Sequence, residues 1–203
     1  MGEHTENKEA LKNSKNSFKN EIFEWLDVVI ISTTIVILLF TFVFRVVGVD
    51  GSSMEPTLQN QNRVVISHLF YTPKQGDIVV IAEQVEKNTG GSSDTKSKEP
   101  IIKRIIATQG QKVEIDYEDN IIYVDGKAFN EPDGIPRMQP RGDVQFPVVV
   151  KEGCVFVMGD NRNDSLDSRY TTRIGVGGMI DTNLILGKAI FRIFPFSGIG
   201  FIK

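Results

Sequence analysis

Val49-Asp50-Gly51-Ser52-Ser53-Met54-Glu55-Pro56-Thr57-Leu58 divides the chain: a long apolar run ends at Phe44 just before it, and short β-branched runs follow it. A hydroxyl with Gly51 on one side and Met54-x-Pro56 on the other sits where the backbone can bend sharply and present a side chain at the surface. Alone, Gly-Ser-Ser before a proline turn describes an ordinary loop. Its meaning changes beside three other stretches: Gly76-Asp77-Ile78-Val79-Val80, Ile102-Lys103-Arg104-Ile105-Ile106, and the charged series from Gly159 to Arg169.

Upstream, residues 1–27 form a polar, Asn- and Lys-rich tail whose late apolar positions, Phe18, Ile22, Phe23, Trp25 and Leu26, recur at helical spacing. From Val28 to Phe44 there is no charge. At about 1.5 Å per residue, 17 to 20 such residues span a hydrocarbon core of about 30 Å. A cleavable signal peptide has a shorter apolar region followed by a small-x-small site, whereas Phe44-Arg45-Val46-Val47-Gly48 follows here. The expectation is a retained anchor over 28–47, with Lys8, Lys12, Lys15 and Lys19 keeping the N-terminus inside and residues 48–203 on the outer face.

Downstream the chain reads as mainly β. Val64-Val65-Ile66, Asp77 to Ala82, Ile101 to Ala107, Val113-Glu114-Ile115, Ile121 to Val124, Val148-Val149-Val150 and Val155 to Met158 are dense in β-branched residues and separated by Gly, Pro, Asn and Asp. No stretch beyond residue 60 sustains a helical period, so antiparallel sheets are expected. Asn88 to Glu99 is a polar low-complexity insert, expected as a hairpin tip. Val124-Asp125-Gly126-Lys127 marks a tight hairpin turn. Four prolines between Phe129 and Pro147 mark an irregular excursion, and residues 113–150 are the candidate for a smaller subdomain.

Composition excludes several classes. The 203 residues carry a net charge of -3 without a basic block, which argues against a nucleic-acid partner. The single cysteine, Cys154, lies in the apolar run Cys154-Val155-Phe156-Val157-Met158 and reads as a small buried hydrophobe. With only His4 and His68 and no Cys/His spacing of the metal-binding kind, neither a metal nor another cofactor is expected.

A serine hydroxyl needs an adjacent group to take its proton. His4 falls across the expected membrane, and His68 sits in the bland sequence Ser67-His68-Leu69-Phe70. A lysine can serve if burial keeps it neutral, which lowers its pKa from about 10.4. Lys103 is the candidate, because isoleucines flank it on both faces of its strand. Alternation sends Lys103 and Arg104 to opposite faces, so one can be buried while the other is paired. The bland alternative is a solvated edge-strand lysine. In the loop Gly159 to Arg169, a calcium site is disfavoured, since Arg162 occupies the third position and no glycine the sixth. A network of paired charges under an active site fits better.

In this order and behind an anchor, these stretches resemble the motif series of the bacterial type I signal peptidases, from about Val46 to Pro195. The resemblance implies an antiparallel β catalytic core behind one transmembrane helix. It implies Ser53 as nucleophile and Lys103 as general base, within a motif that also supplies Gly51, Met54 and Pro56. It implies a hydrogen bond from Ser165 to the lysine and supporting ion pairs among Arg104, Asp160, Asp167 and Arg169. The implied activity is removal of signal peptides from exported preproteins at the outer face of the cell membrane, with the bilayer as the other partner. The substrate would be added as a strand, with small side chains at the first and third positions before the cut. Because Ser53 follows the anchor by so few residues, its hydroxyl is expected near the bilayer surface. The chain departs from the pattern at Ala107 to Gln111, where Gly-Leu-Pro-Gly-Asp is frequent, at Asn163-Asp164, and in the inserted segment Thr171 to Gly178. Gly51 also replaces a serine that helps bind the oxyanion in some members, leaving backbone amides, chiefly that of Ser53. Two other classes stay open: a self-cleaving Ser/Lys protease, and a catalytically impaired, membrane-tethered binding protein.

Overall fold

No glycine or proline interrupts the chain between Gly2 and Gly48, and in the computed structural model an α-helix, α1, runs over Glu3–Phe42. Its segment Phe23–Thr41, 19 residues, is long and apolar enough to cross a membrane. The model describes residues 3–82, 100–171, 175 and 177–202. The insert at 88–99 and part of the segment 171–178 lie outside the described residues. The chain divides into two units, Met1–Val43 and Phe44–Lys203.

Where the sequence suggested anchor as far as residue 47, the helix ends at Phe42 and β1 (Phe44–Gly48) begins. Phe44, Val46 and Val47 are as suited to a strand as to a span, and β1 finds an antiparallel partner in β2 (Arg63–Ser67). The remaining strands are β3 (Ile78–Ile81), β4 (Ile101–Thr108), β5 (Lys112–Asp116), β6 (Ile121–Val124), β7 (Lys127–Ala128), β8 (Val148–Val149), β9 (Cys154–Met158), β10 (Ile180–Asp181), β11 (Ile185–Phe194) and β12 (Gly200–Phe201). An eight-stranded sheet runs β1-β2-β11-β3-β4-β9-β10 with β12 on β11, and a four-stranded sheet runs β7-β6-β5-β8. All pairings are antiparallel.

Three apolar clusters follow from this arrangement. Ile106, Phe156 and Met158 of the large sheet meet Val113, Ile122 and Val124 of the small one. Val79, Ile81, Ile105, Val157 and Ile180 form a second cluster. The third gathers Val64, Ile66, Ile78, Val80 and Ile102 around Met54 and Leu58 from the loop after β1. Those last two side chains are fully buried, and burying each contributes about 1.5–3 kcal/mol. They anchor the stretch Val49 to Leu58 in the core of the sheet that carries Lys103.

Candidate active site

Gly51 adopts φ +91°, a left-handed conformation that a side chain would strain, and its N–H donates to Asn60 Oδ1. The turn then closes with Glu55 N–H donating to Ser52 C=O and Leu58 N–H to Met54 C=O. With Met54 held in the core, Ser53 is presented beside β4.

β4 pairs with β3 and β9, and all its residues from Ile102 to Ala107 are buried. Alternation puts Lys103 and Arg104 on opposite faces, yet both are buried, at 4% and 2% exposure. Their fates differ by partner. Arg104 forms a two-pronged ion pair with Asp160, Nε to Oδ1 at 2.8 Å and Nη2 to Oδ2 at 2.7 Å, and donates through Nη1 to Gly76 C=O. Lys103 Nζ donates to Ser53 Oγ at 2.8 Å. Burial lowers the Lys103 pKa from 10.5 to about 8, against the opposing pull of the Asp167 and Asp160 charges. Ser53 and Lys103 open onto a cavity of about 300 Å³ whose apolar wall includes Ile81, Ile101, Ile180 and Leu184. His68 is exposed on the loop after β2.

The loop after β9 clamps the serine turn from below. Asn161 N–H donates to Ser53 C=O at 3.0 Å and its side-chain amide to Ser52 C=O at 3.2 Å. Ser52 Oγ donates to Asp164 Oδ2, and Thr57 Oγ1 to Asp160 Oδ2, both at 2.6 Å. Asp167 receives Arg169 through both Nε and Nη2 at 2.8 Å and also accepts from Gly159 N–H. Asp160, Asp167 and Arg169 are buried and each is paired, as the low dielectric requires, although Arg169 Nη1 has no hydrogen-bond partner among the described residues, and Asp164 is exposed. A Cβ on Gly159 would lie 2.3 Å from Ser165 Oγ and 2.5 Å from Ser53 C=O, so only glycine lets the two loops approach this closely.

The expected residues are thus brought together with one exception. Ser165 is buried against Gly159, but its Oγ has no hydrogen-bond partner among the described residues, and the bond to Lys103 implied by the resemblance is not formed. Lys103 turns instead to Ser53. Pro56 is exposed, bends the turn and makes no polar contact with the pair. Residues outside the expected set also hold the site. Glu131 grips the buried Arg162 through both oxygens at 2.5 and 2.6 Å, and Arg162 Nε donates to Gly159 C=O. Glu131 comes from the proline-rich excursion, and nothing local in Asn130-Glu131-Pro132 announces that partner.

The chain matches the family model described as "Signal peptidase, peptidase S26" over residues 22–194. A signal peptidase I of Bacillus licheniformis is 35% identical over 191 residues, 89% of this chain and 93% of that protein. A signal peptidase IB of Staphylococcus aureus is 29% identical over 88% of this chain and 93% of its own length. A crystal structure of a signal peptidase I from Enterococcus faecalis aligns at 23% identity with a TM-score of 0.41, covering 58% of this chain and 97% of that one.

Proposed function

The chain belongs to the signal peptidase family, peptidase S26, a family of serine endopeptidases, and from that membership we propose that it cleaves signal peptides from exported preproteins with Ser53 as nucleophile and Lys103 as base. The observation that carries this reading is the 2.8 Å contact between a surface-turn serine and a buried lysine. Neutral Lys103 takes the hydroxyl proton as Ser53 Oγ attacks the scissile carbonyl carbon. In this reading the Ser53 N–H donates to the developing oxyanion. Lysine returns the proton to the departing amine, the C–N bond breaks, and an ester to Ser53 remains. Water, deprotonated by the same lysine, attacks that ester, the bond to Ser53 Oγ breaks, and the lysine returns the proton to Oγ as the acid product leaves. The cavity beside the pair, with its aliphatic wall, suits small apolar side chains of the substrate.

Incubating detergent-solubilised protein with a preprotein and reading the new N-terminus by mass spectrometry tests the reaction, with a single cut after a small residue expected. The same assay has a defined pH response. Only unprotonated Lys103 can accept a proton, so kcat/KM climbs about tenfold per unit below the lysine's pKa and levels above it. With that pKa at about 8, the rise from pH 6 to pH 8 is about fiftyfold. A profile that stays level across this range, with binding controlled, rules out lysine as the base.

The helical segment Phe23–Thr41 serves as a membrane anchor in this reading, with the N-terminal lysines inside and the β unit outside. A cytoplasmic Ser53 would meet precursors before export. External protease added to spheroplasts is therefore expected to digest the β unit; full protection of that unit overturns the orientation.

A further inference from the structure

We propose that Thr57 is a positioning residue for the Ser53–Lys103 pair, acting through Asp160. The proposal rests on the Ser/Lys reading above. Thr57 lies four residues after Ser53 on the same turn, and its hydroxyl donates to Asp160 Oδ2 at 2.6 Å. Arg104 holds that carboxylate by both oxygens, and Arg104 follows Lys103 directly on β4. A closed circuit results: Lys103, Arg104, Asp160, Thr57, the turn back to Ser53, and the 2.8 Å contact to Lys103. The carboxylate thereby joins the strand that carries the lysine to the loop that carries the serine.

The turn is held by other contacts besides this hydroxyl. Met54 and Leu58, buried on either side of it, hold the turn in the core, and Arg192 Nη1 donates to Thr57 C=O at 3.2 Å. What the hydroxyl adds is alignment. Asp160 and Asn161 grip the turn at two points, Thr57 Oγ1 and Ser53 C=O, which restrains rotation of the segment between them. A displacement of about 1 Å at a reacting atom can cost about a hundredfold in rate, and a hydrogen bond to a charged group is strong enough to hold such an alignment. Threonine suits the task because its β-branched side chain is stiff about χ1.

The test compares Thr57→Val, which keeps the shape and loses the hydroxyl, with Thr57→Ser, which keeps the hydroxyl. Both are assayed on a preprotein beside the unaltered protein and Ser53→Ala, with thermal midpoints measured in parallel. Thr57→Val is expected to lower kcat by about tenfold to a hundredfold with KM within about twofold. Thr57→Ser should recover kcat to within about threefold. A Thr57→Val protein with unaltered kcat, a raised KM at constant kcat, or a Thr57→Ser variant as impaired as Thr57→Val overturns the proposal. So does a Thr57→Val protein that is unfolded at the assay temperature, because the hydroxyl then serves the fold. If the unaltered protein cleaves and Ser53→Ala does not, the Ser/Lys reading stands whatever Thr57 does. If Ser53→Ala still cleaves, the reading and the proposal fall together.

Discussion

Ser53→Ala and Lys103→Met are each expected to lower kcat/KM on a preprotein at least about a thousandfold, and the double variant to be no worse than either alone. In the proposed mechanism the two side chains, 2.8 Å apart, act as one unit, so losing either should remove the whole function of the pair. Neither change should cost the fold. Lys103 is almost fully buried and its pKa falls from 10.5 to about 8, so the unfolded chain binds the proton more tightly than the folded one. The stability linked to this group is complete above pH 10.5 and is lost as pH falls towards 8. At pH 7 the linkage costs at most about 3 kcal/mol. Lys103→Met escapes that cost and is expected to melt at or above the unaltered protein near neutrality, with the difference closing at high pH. Turnover by either single variant above a few per cent of normal, or a Lys103→Met protein that melts lower at every pH, contradicts the assignment.

Asp160→Ala carries the next largest effect, and it falls on stability. It leaves the Arg104 guanidinium, whose side chain is 3% exposed, buried without its carboxylate, and breaking such a pair costs about 3–5 kcal/mol. For a unit of this size the thermal midpoint should fall by about 6–20 °C. Replacing both partners with apolar residues, Arg104→Met with Asp160→Leu, should recover much of that stability, since desolvation and attraction nearly cancel in buried pairs. It should not recover turnover, because Thr57 and the lysine strand no longer share an acceptor. A midpoint for Asp160→Ala within a degree or two of normal would show that the pair is unimportant to the fold.

Local pattern revealed most of the strands. The β-branched runs at 64–66, 77–82, 101–107, 113–115, 121–124, 148–150 and 155–158 each coincide with a strand or its immediate flank. The longest of the described strands, β11, escaped notice although it sits between β2 and β3 in the large sheet. Gly187 interrupts its pattern, and its register against its neighbours shifts at several points. A Cβ on Gly187 would lie 2.9 Å from Ser67 C=O, so the glycine marks a close backbone approach inside a strand, where local reading finds a break. The end of the helix was equally illegible, because Phe44 to Val47 suit a span and a strand alike and only β2 decides between them.

By itself the sequence determined the apolar span, the β-rich remainder, and a short set of polar residues too specific in spacing to be ordinary loops. Those properties depend on near neighbours: charge-free length, alternation and turn chemistry. Tertiary structure alone decided what each polar residue meets. Ser53 and Lys103 lie 50 positions apart, Thr57 and Asp160 lie 103 apart, and Glu131 reaches Arg162 from a proline-rich excursion. It also directed Lys103 to Ser53 and left the Ser165 hydroxyl without a partner among the described residues. The physical reason is that a buried charge takes whichever partner the packing of the sheets brings within about 3 Å, and that proximity is a property of the assembled core.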